Sequence, residues 1–266
     1  MKNPVVERFS EFYETWVWKL EEILHQLLEV SRQRTQVVKT DQELQALVSK
    51  VTSHLKEYYT IKWATAHEDV LVFFSPVWLS PLENAYLWIT GWKPSMVFRL
   101  LESLKKPREG TLNVFYMTEE QQRKTEELRM KIRMEEEKVE REMERQQVAM
   151  ADRKMMELVK MCSRGRSSSS SSSSSSCNGD AVTTQVDVAL KGLLAGLERV
   201  MKASDCVRLK TLKGVLDVLG PMQCVDFLAA NIAMQLRLRQ WGKNKEGTFL
   251  SPYYSTDIQL PSLHAK

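Results

Sequence analysis

Apolar residues recur at spacings of three and four along most of this chain. Phe9, Phe12, Trp16, Leu20, Ile23, Leu24, Leu27 and Leu28 form one stripe, with Glu7, Glu14, Glu21 and Glu22 falling largely between them. That spacing predicts a long amphipathic first helix. Its aromatic front end suits core packing or a partner, and core packing is the simpler reading. Residues 31–40 break the pattern. Thr40 followed by Glu43 reads as a capping box for a second helix bearing Leu44, Leu47, Val48, Val51 and Leu55 and running toward Trp63. His54 and His67 lie thirteen apart without a third ligand nearby, so they read as surface or satisfied histidines rather than metal ligands.

From Phe73 to Leu104 the pattern is punctuated by Pro76, Pro81, Pro94, Gly91 and the tryptophans Trp78, Trp88 and Trp92. Ser80, Pro81 and Glu83 make a capping box with proline at the first helical position. Leu82, Ala85, Tyr86 and Ile89 continue at helical spacing to Gly91, which suits a left-handed helix end. Pro94 then opens another helix carrying Met96, Val97, Leu100, Leu101 and Leu104, stopped by Pro107. The run is a tight helical corner whose tryptophans pack between elements, and truncating one buried tryptophan costs about 3–5 kcal/mol.

Thr118 and Gln121 match another capping box, and no Gly or Pro follows until Gly165, which predicts one very long helix or two end to end. Twelve acids and eleven bases interleave from Glu119 to Lys160, leaving a nearly neutral surface. Leu128, Ile132, Val139, Met143 and Met150 form a narrow stripe, widened by Met155, Met156, Leu158 and Val159. It suits a coiled-coil seam or an exposed helix lying on the domain. Ser167 to Ser176 is an unbroken serine tract, and residues 164–180 read as a solvated loop inserted within the domain. Phosphate added there, beside Arg164 and Arg166, would dock it; a plain linker is the simpler reading. Val186, Leu190, Leu193, Leu194, Leu197, Val200 and Met201 mark the next helix. Ser204 then reads as the cap of another, bearing Val207, Leu212, Val215, Leu216 and Leu219. Gly220-Pro221 starts the last helix, with Val225, Leu228, Ile232, Leu236 and Trp241 inward and Gly242 as its end. The expected organisation is an all-α bundle over residues 5–242 and a frayed tail over 243–266.

Composition adds little: 43% hydrophobic and 27% charged residues are ordinary globular proportions, and a net charge of +4 falls short of a dedicated nucleic-acid binder. Cys162, Cys177, Cys206 and Cys224 lack C-x-x-C spacing and read as reduced intracellular thiols. No secretory leader or stretch of 18 apolar residues is present, so the expectation is a soluble or peripheral protein. Phosphate-binding loops, dinucleotide fingerprints, nucleophile elbows and H-E-x-x-H are all absent, and nothing marks a catalytic pair of carboxylates or a Cys/His couple. No enzyme, metal site or cofactor site is expected. Arg237, Arg239, Lys243 and Lys245 around Trp241 make a small basic patch suited to phosphate, an anionic membrane or calmodulin, although the solvated side of the last helix is the simpler reading.

The corner carries a resemblance. Pro76, Trp78, Ser80, Pro81 and Glu83, followed by Trp88, Gly91, Trp92, Pro94 and Ser95, resemble the plant Delay of Germination family, whose domain also forms the C-terminal part of TGA-type bZIP transcription factors. The opening FSEFYETW and the closing GPMQCVDFLAANIAMQLRLRQWG extend the likeness over most of the chain. The resemblance implies an all-helical domain without catalysis that acts through protein partners. The implied partners are a phosphatase, a transcription factor or a co-regulator, in seed dormancy, abscisic acid signalling or regulation of transcription. Nucleus or cytoplasm follows as the location, and a homodimer is left open. The resemblance also admits pollen aperture formation at the plasma membrane, and a DNA-binding regulator. The basic region and zipper of the TGA factors are absent, which argues against direct DNA reading. Some members hold haem through histidines near the last helix. Met222 to Gly242 contains none, so haem is not carried over.

Overall fold

A computed structural model describes residues 3–35, 39–106, 115–166 and 177–245, and every element among them is helical. Helix α1 (Pro4–Arg32) starts on the Asn3 side chain, which accepts from the Val5 N–H, and ends in a short 3₁₀ turn over Gln33–Thr35. Helix α2 (Asp41–Glu68) opens on the expected Thr40/Glu43 capping box. The short helices α3 (Leu71–Phe74) and α4 (Pro81–Ala85) and helix α5 (Met96–Lys105) form the corner. Helices α6 (Glu119–Ala149) and α7 (Arg153–Arg166) follow one another and are the two end-to-end helices that the sequence allows. Helix α8 (Cys177–Val218) returns along α6, and α9 (Pro221–Lys245) runs through the middle against α1, α2, α4 and α5.

Three readings of helix ends are corrected by the structure. Ser204 caps nothing: α8 continues through it, and its hydroxyl donates back to the Met201 carbonyl at 2.7 Å, a bond that a serine inside a helix can make. Gly242 does not end α9. It is buried where a Cβ would run into Ser80 and Leu82, so its smallness serves close packing of α9 on α4. Pro94 precedes α5 rather than opening it; the Met96 and Val97 N–H groups donate to the Lys93 and Pro94 carbonyls in a turn, and the helix begins at Met96. The serine tract lies outside the described residues, while α7 reaches Arg166 and α8 begins at Cys177, so the helices encroach on the expected loop of 164–180 from both sides.

The core is one cluster running from Phe9 to Ala233. Its aromatic part joins α1 to the corner: the Phe9 ring lies 4.8 Å from Phe73 and 4.6 Å from Trp78, and Phe73 and Trp78 lie 5.5 Å apart. Such offset and edge contacts add to the burial of large rings. Helices α1 and α2 are locked by a reciprocal pair: the Trp16 indole donates to the His54 carbonyl at 3.1 Å, and the His54 ring meets the Trp16 carbonyl at 3.1 Å. His54 is thus a satisfied buried histidine; His67 is exposed beside Glu198 at 3.5 Å. Further along, the Arg34 guanidinium and the Ser31 hydroxyl hold Asp226, fixing the end of α1 to the start of α9.

The α6 stripe turns inward. Ile132 and Val139 are buried and Leu128 and Met143 half-buried against the core, whereas Met150 is 54% exposed because α6 ends there. Of the α7 residues expected to widen the stripe, Met155 and Leu158 are half-buried, whereas Met156 and Val159 are exposed.

Candidate functional site

Charged side chains are seldom fully buried unless paired, and three such groups meet where α2, α8 and the corner converge. Lys62, Asp205 and Arg208 are each at most 1% exposed. The ammonium of Lys62 has three protons and three acceptors: Asp205 Oδ1 at 2.9 Å, the Thr90 carbonyl at 3.0 Å and the Thr90 hydroxyl at 3.2 Å. Arg208 has five N–H groups and uses all of them. Its Nε donates to the Trp92 carbonyl at 2.7 Å, Nη1 to Ser204 Oγ at 2.9 Å and Asp205 Oδ1 at 2.6 Å, and Nη2 to the carbonyls of Trp88 and Ile89. Asp205 Oδ2 takes the Trp63 indole N–H at 3.0 Å.

The carbonyls point inward because residues 88–91 form a tight turn. The Trp88 N–H donates to the Gly91 carbonyl at 2.7 Å and the Gly91 N–H returns to the Trp88 carbonyl at 3.2 Å. Its central residues, Ile89 (φ 40°) and Thr90 (φ 60°), carry positive φ. Both are β-branched, so the turn is strained by about 1–3 kcal/mol each. The bonds from Lys62, Ser204 and Arg208 hold it in place. Gly91 is not the left-handed residue that its sequence position suggests. Its lack of a side chain lets the Arg208 guanidinium lie against the backbone, where a Cβ would be 2.8 Å from Cζ.

Chemically the cluster is sealed. Burial pushes the Lys62 ammonium down to about 8, with Asp205 opposing the shift, a range familiar in catalytic lysines. Yet every proton of Lys62 is consumed by fixed acceptors and the side chain is 1% exposed, so no substrate reaches it. No group of three or more His, Cys, Asp or Glu among the described residues is placed to hold a metal.

Of the family-motif residues, Trp88, Gly91 and Trp92 border this cluster, and the others lie elsewhere in the corner. Pro76, Trp78 and Pro94 are buried, and Pro81 is exposed at the first position of α4. Ser80 and Glu83 cap each other, the Glu83 carboxylate accepting from the Ser80 N–H at 2.9 Å and its hydroxyl at 2.8 Å. Trp88 is half-buried and donates its indole N–H to Glu140 of α6 at 2.8 Å, beside Lys93 on the same carboxylate. Ser95 donates its backbone N–H to Glu136 at 2.6 Å. Desolvation raises the Glu136 carboxyl, whereas the Lys93 ammonium holds Glu140 down. Trp92 is half-buried against the core. Of the three tryptophans, Trp78 alone is fully packed away, and Trp88 and Trp92 bridge the corner to its neighbours.

The basic patch does not form as one surface. Arg239 is 5% exposed: its Nη1 donates to the Trp78 carbonyl at 3.0 Å, its Nη2 pairs with Glu14, and its guanidinium lies 5.1 Å from the Tyr13 ring centre. Arg237 is half-buried, and Lys243 sits 3.9 Å from Glu14. Trp241, expected on the inward face, is 56% exposed because one turn of α9 carries Arg239 and Lys243 toward α1 and leaves Trp241 on the far side. Lys245 ends α9, and its side chain lies outside the described residues.

What remains accessible is the outside of the helices. Trp18 on α1, Met130, Met134 and Val148 on α6, and Trp241 are large apolar side chains between 56% and 65% exposed. Sequence reasoning missed Lys62, Asp205 and Arg208, which are polar residues on otherwise ordinary helix faces. Their one signal is weak: Ser204, Asp205 and Arg208 interrupt the apolar run of α8 on the side that Val200, Met201 and Val207 mark as buried.

Comparison with known proteins bears on this arrangement. Residues 23–103, which contain α2 and the corner with Phe73 and Trp78 but not Phe9 of α1, match the DOG1 family model, described as seed dormancy control. The chain is 52% identical over 246 residues to Protein DOG1-like 4 of Arabidopsis thaliana, covering 92% of this chain and 96% of that protein. It is 27% identical over 236 residues to Protein RESPONSE TO ABA AND SALT 1 of the same plant, covering 88% and 94%. It is also 30% identical over 201 residues to Transcription factor TGA5 of Arabidopsis thaliana, covering 75% of this chain and 54% of that factor.

Proposed function

The chain belongs to the DOG1 family of seed dormancy control, and from that premise we propose that it is a non-enzymatic plant regulator acting through protein partners. The corner is its fold determinant, and partners dock on the outer helix surfaces. The observation that carries this reading is the complete internal use of the buried charges. All three protons of Lys62 and all five of Arg208 are spent on the fold, so these buried charges have nothing left for a substrate. Exposed apolar residues on α1, α6 and α9 offer contact area instead.

The partner classes are a phosphatase, a transcription factor or a co-regulator, in seed dormancy or abscisic acid signalling, at the nucleus or in the cytoplasm. The names of the relatives, with seed dormancy control, response to ABA and transcription factor among them, support that choice. The interleaved charges of α6 suit protein contacts better than a DNA phosphate backbone. A membrane-surface role draws no support from α9, where Arg239 is buried and paired. No helix among the described residues is long and apolar enough to cross a membrane.

The test is purification of the tagged chain from the tissue that makes it, seed and anther compared. Stoichiometric recovery of a phosphatase or transcription factor from seed is the expected result. Recovery of the chain alone from both tissues overturns the reading.

A further inference from the structure

Helices α4 and α9 meet at a junction whose outer side is apolar. Pro81 and Ala85 of α4 are exposed, Tyr86 at its end is 62% exposed, and Leu82 is half-buried one turn before Tyr86. The helices touch where a Cβ on Gly242 would be 2.0 Å from Ser80 Oγ and 3.3 Å from the Leu82 Cβ. Successive helical residues turn by about 100°, so Leu238, one turn before Gly242, lies between Gly242 and Trp241 around α9. Leu238 is half-buried and Trp241 is 56% exposed, whereas Arg239 and Lys243 turn the other way, to Glu14 of α1. Pro81, Leu82, Ala85, Tyr86, Leu238 and Trp241 thus line one side of the junction, and none of them carries a charge. Large aromatic side chains left open at one junction mark a contact site.

We propose that residues 247–256 of this same chain dock on that surface. Helix α9 ends at Lys245, one turn past Trp241, and the sequence carries twenty-one further residues, 246–266, outside the described ones. Gly247 to Thr256, GTFLSPYYST, contain no charged residue and four large apolar or aromatic ones, Phe249, Leu250, Tyr253 and Tyr254. The segment matches the surface in kind, since uncharged aromatics meet uncharged aromatics. A charged partner segment finds no opposite charge on the six side chains, and the basic side of α9 is already taken by Glu14. Reach is ample. At about 3.3 Å per extended residue, the nine steps from Lys245 to Tyr254 cover up to about 30 Å, against a rise of about 4.5 Å between Gly242 and Lys245 along α9. Tethering helps further, because a segment joined through a few residues acts at a local concentration on the order of millimolar, where weak contacts suffice. The segment covers the outside of the corner, and a partner that used Trp241 would compete with it. The inference stands apart from the identity of any regulatory partner, because it needs only the purified chain.

The test is photo-cross-linking of the full-length chain with benzoylphenylalanine in place of Tyr86, an exposed aromatic position that the probe resembles. Equal amounts of unlabelled and nitrogen-15-labelled chain are mixed, and the cross-linked peptides are mapped by mass spectrometry. The expected result is a cross-link from position 86 to residues 247–256 within one chain, so that labelled and unlabelled peptides do not mix. Trp241→Ala on the surface, or Leu250→Asp in the segment, is expected to lower the yield about fivefold or more, the effect of losing one apolar anchor. Circular dichroism verifies that each variant keeps its helices. Absence of a cross-link to residues 247–256 overturns the proposal. Mixed isotope pairs also overturn it and give the surface to a second copy. So does a yield spread evenly over 246–266 and indifferent to both substitutions, which shows proximity without docking.

Discussion

The guanidinium of Arg208 lies so close to the backbone of Gly91 that a Cβ there would be 2.8 Å from Cζ and 2.9 Å from Nε. Arg208 cannot retreat, because all five of its N–H groups are engaged and it is buried. Gly91→Ala is therefore expected to lower stability by about 1–3 kcal/mol, the cost of overpacking a rigid site. The shift in the denaturant midpoint measures it.

Removing the guanidinium itself should cost more. In Arg208→Met the carbonyls of Trp88, Ile89 and Trp92 lose the guanidinium as a donor, Asp205 loses a buried cation and a strained turn loses part of its brace, for a loss of about 3–5 kcal/mol. Arg208→Lys recovers only part of this, since three donors on a point charge do not replace a planar fork of five. Equilibrium unfolding of the two variants gives the comparison.

Stability should rise with pH just above 8. The folded chain holds Lys62 at about 8 against an ordinary value of 10.5, so between these values the unfolded chain binds more protons and folding gains as protons are lost. Burial pushes the Cys224 thiol the other way, from 9.0 up to about 11, so above pH 9 the unfolded thiol ionises first and erodes the gain. The window is pH 8 to 9, with a rise of roughly 1 kcal/mol. Lys62→Met should flatten it, as unfolding midpoints at the two pH values will show.

On α9 the two aromatic and basic neighbours should behave differently. Arg239→Ala breaks the contacts with Trp78, Tyr13 and Glu14 and is expected to cost about 2 kcal/mol. Trp241→Ala removes an exposed side chain and should leave stability within about 0.5 kcal/mol. Thermal unfolding of the pair distinguishes a buried anchor from a surface residue.

These cases also show what could be read from the chain alone. The capping boxes at Thr40, Ser80 and Thr118 were legible because their partners are three residues away, and so were the apolar stripes of α1, α2 and, apart from Trp241, α9. The Lys62–Asp205 pair spans 143 residues and leaves no local trace. Ser204 looked like a cap because a serine that bonds back to its own helix and one that starts a helix have the same local sequence. Arg239 looked like a surface charge because Glu14, which meets it, stands 225 positions away. The positive φ of Ile89 and Thr90 runs against the preferences of both residues, and only the tertiary bonds explain it.

In the proposed function the corner builds the fold while partners bind elsewhere, and Trp92→Ala tests this most directly. The measurement pairs its unfolding free energy with the affinity of its folded form for the partner recovered with the wild-type chain. The expected result is a loss of about 2 kcal/mol in stability, from a half-buried side chain packed on the core, with partner affinity unchanged. A variant as stable as the wild type that no longer binds the partner would contradict it.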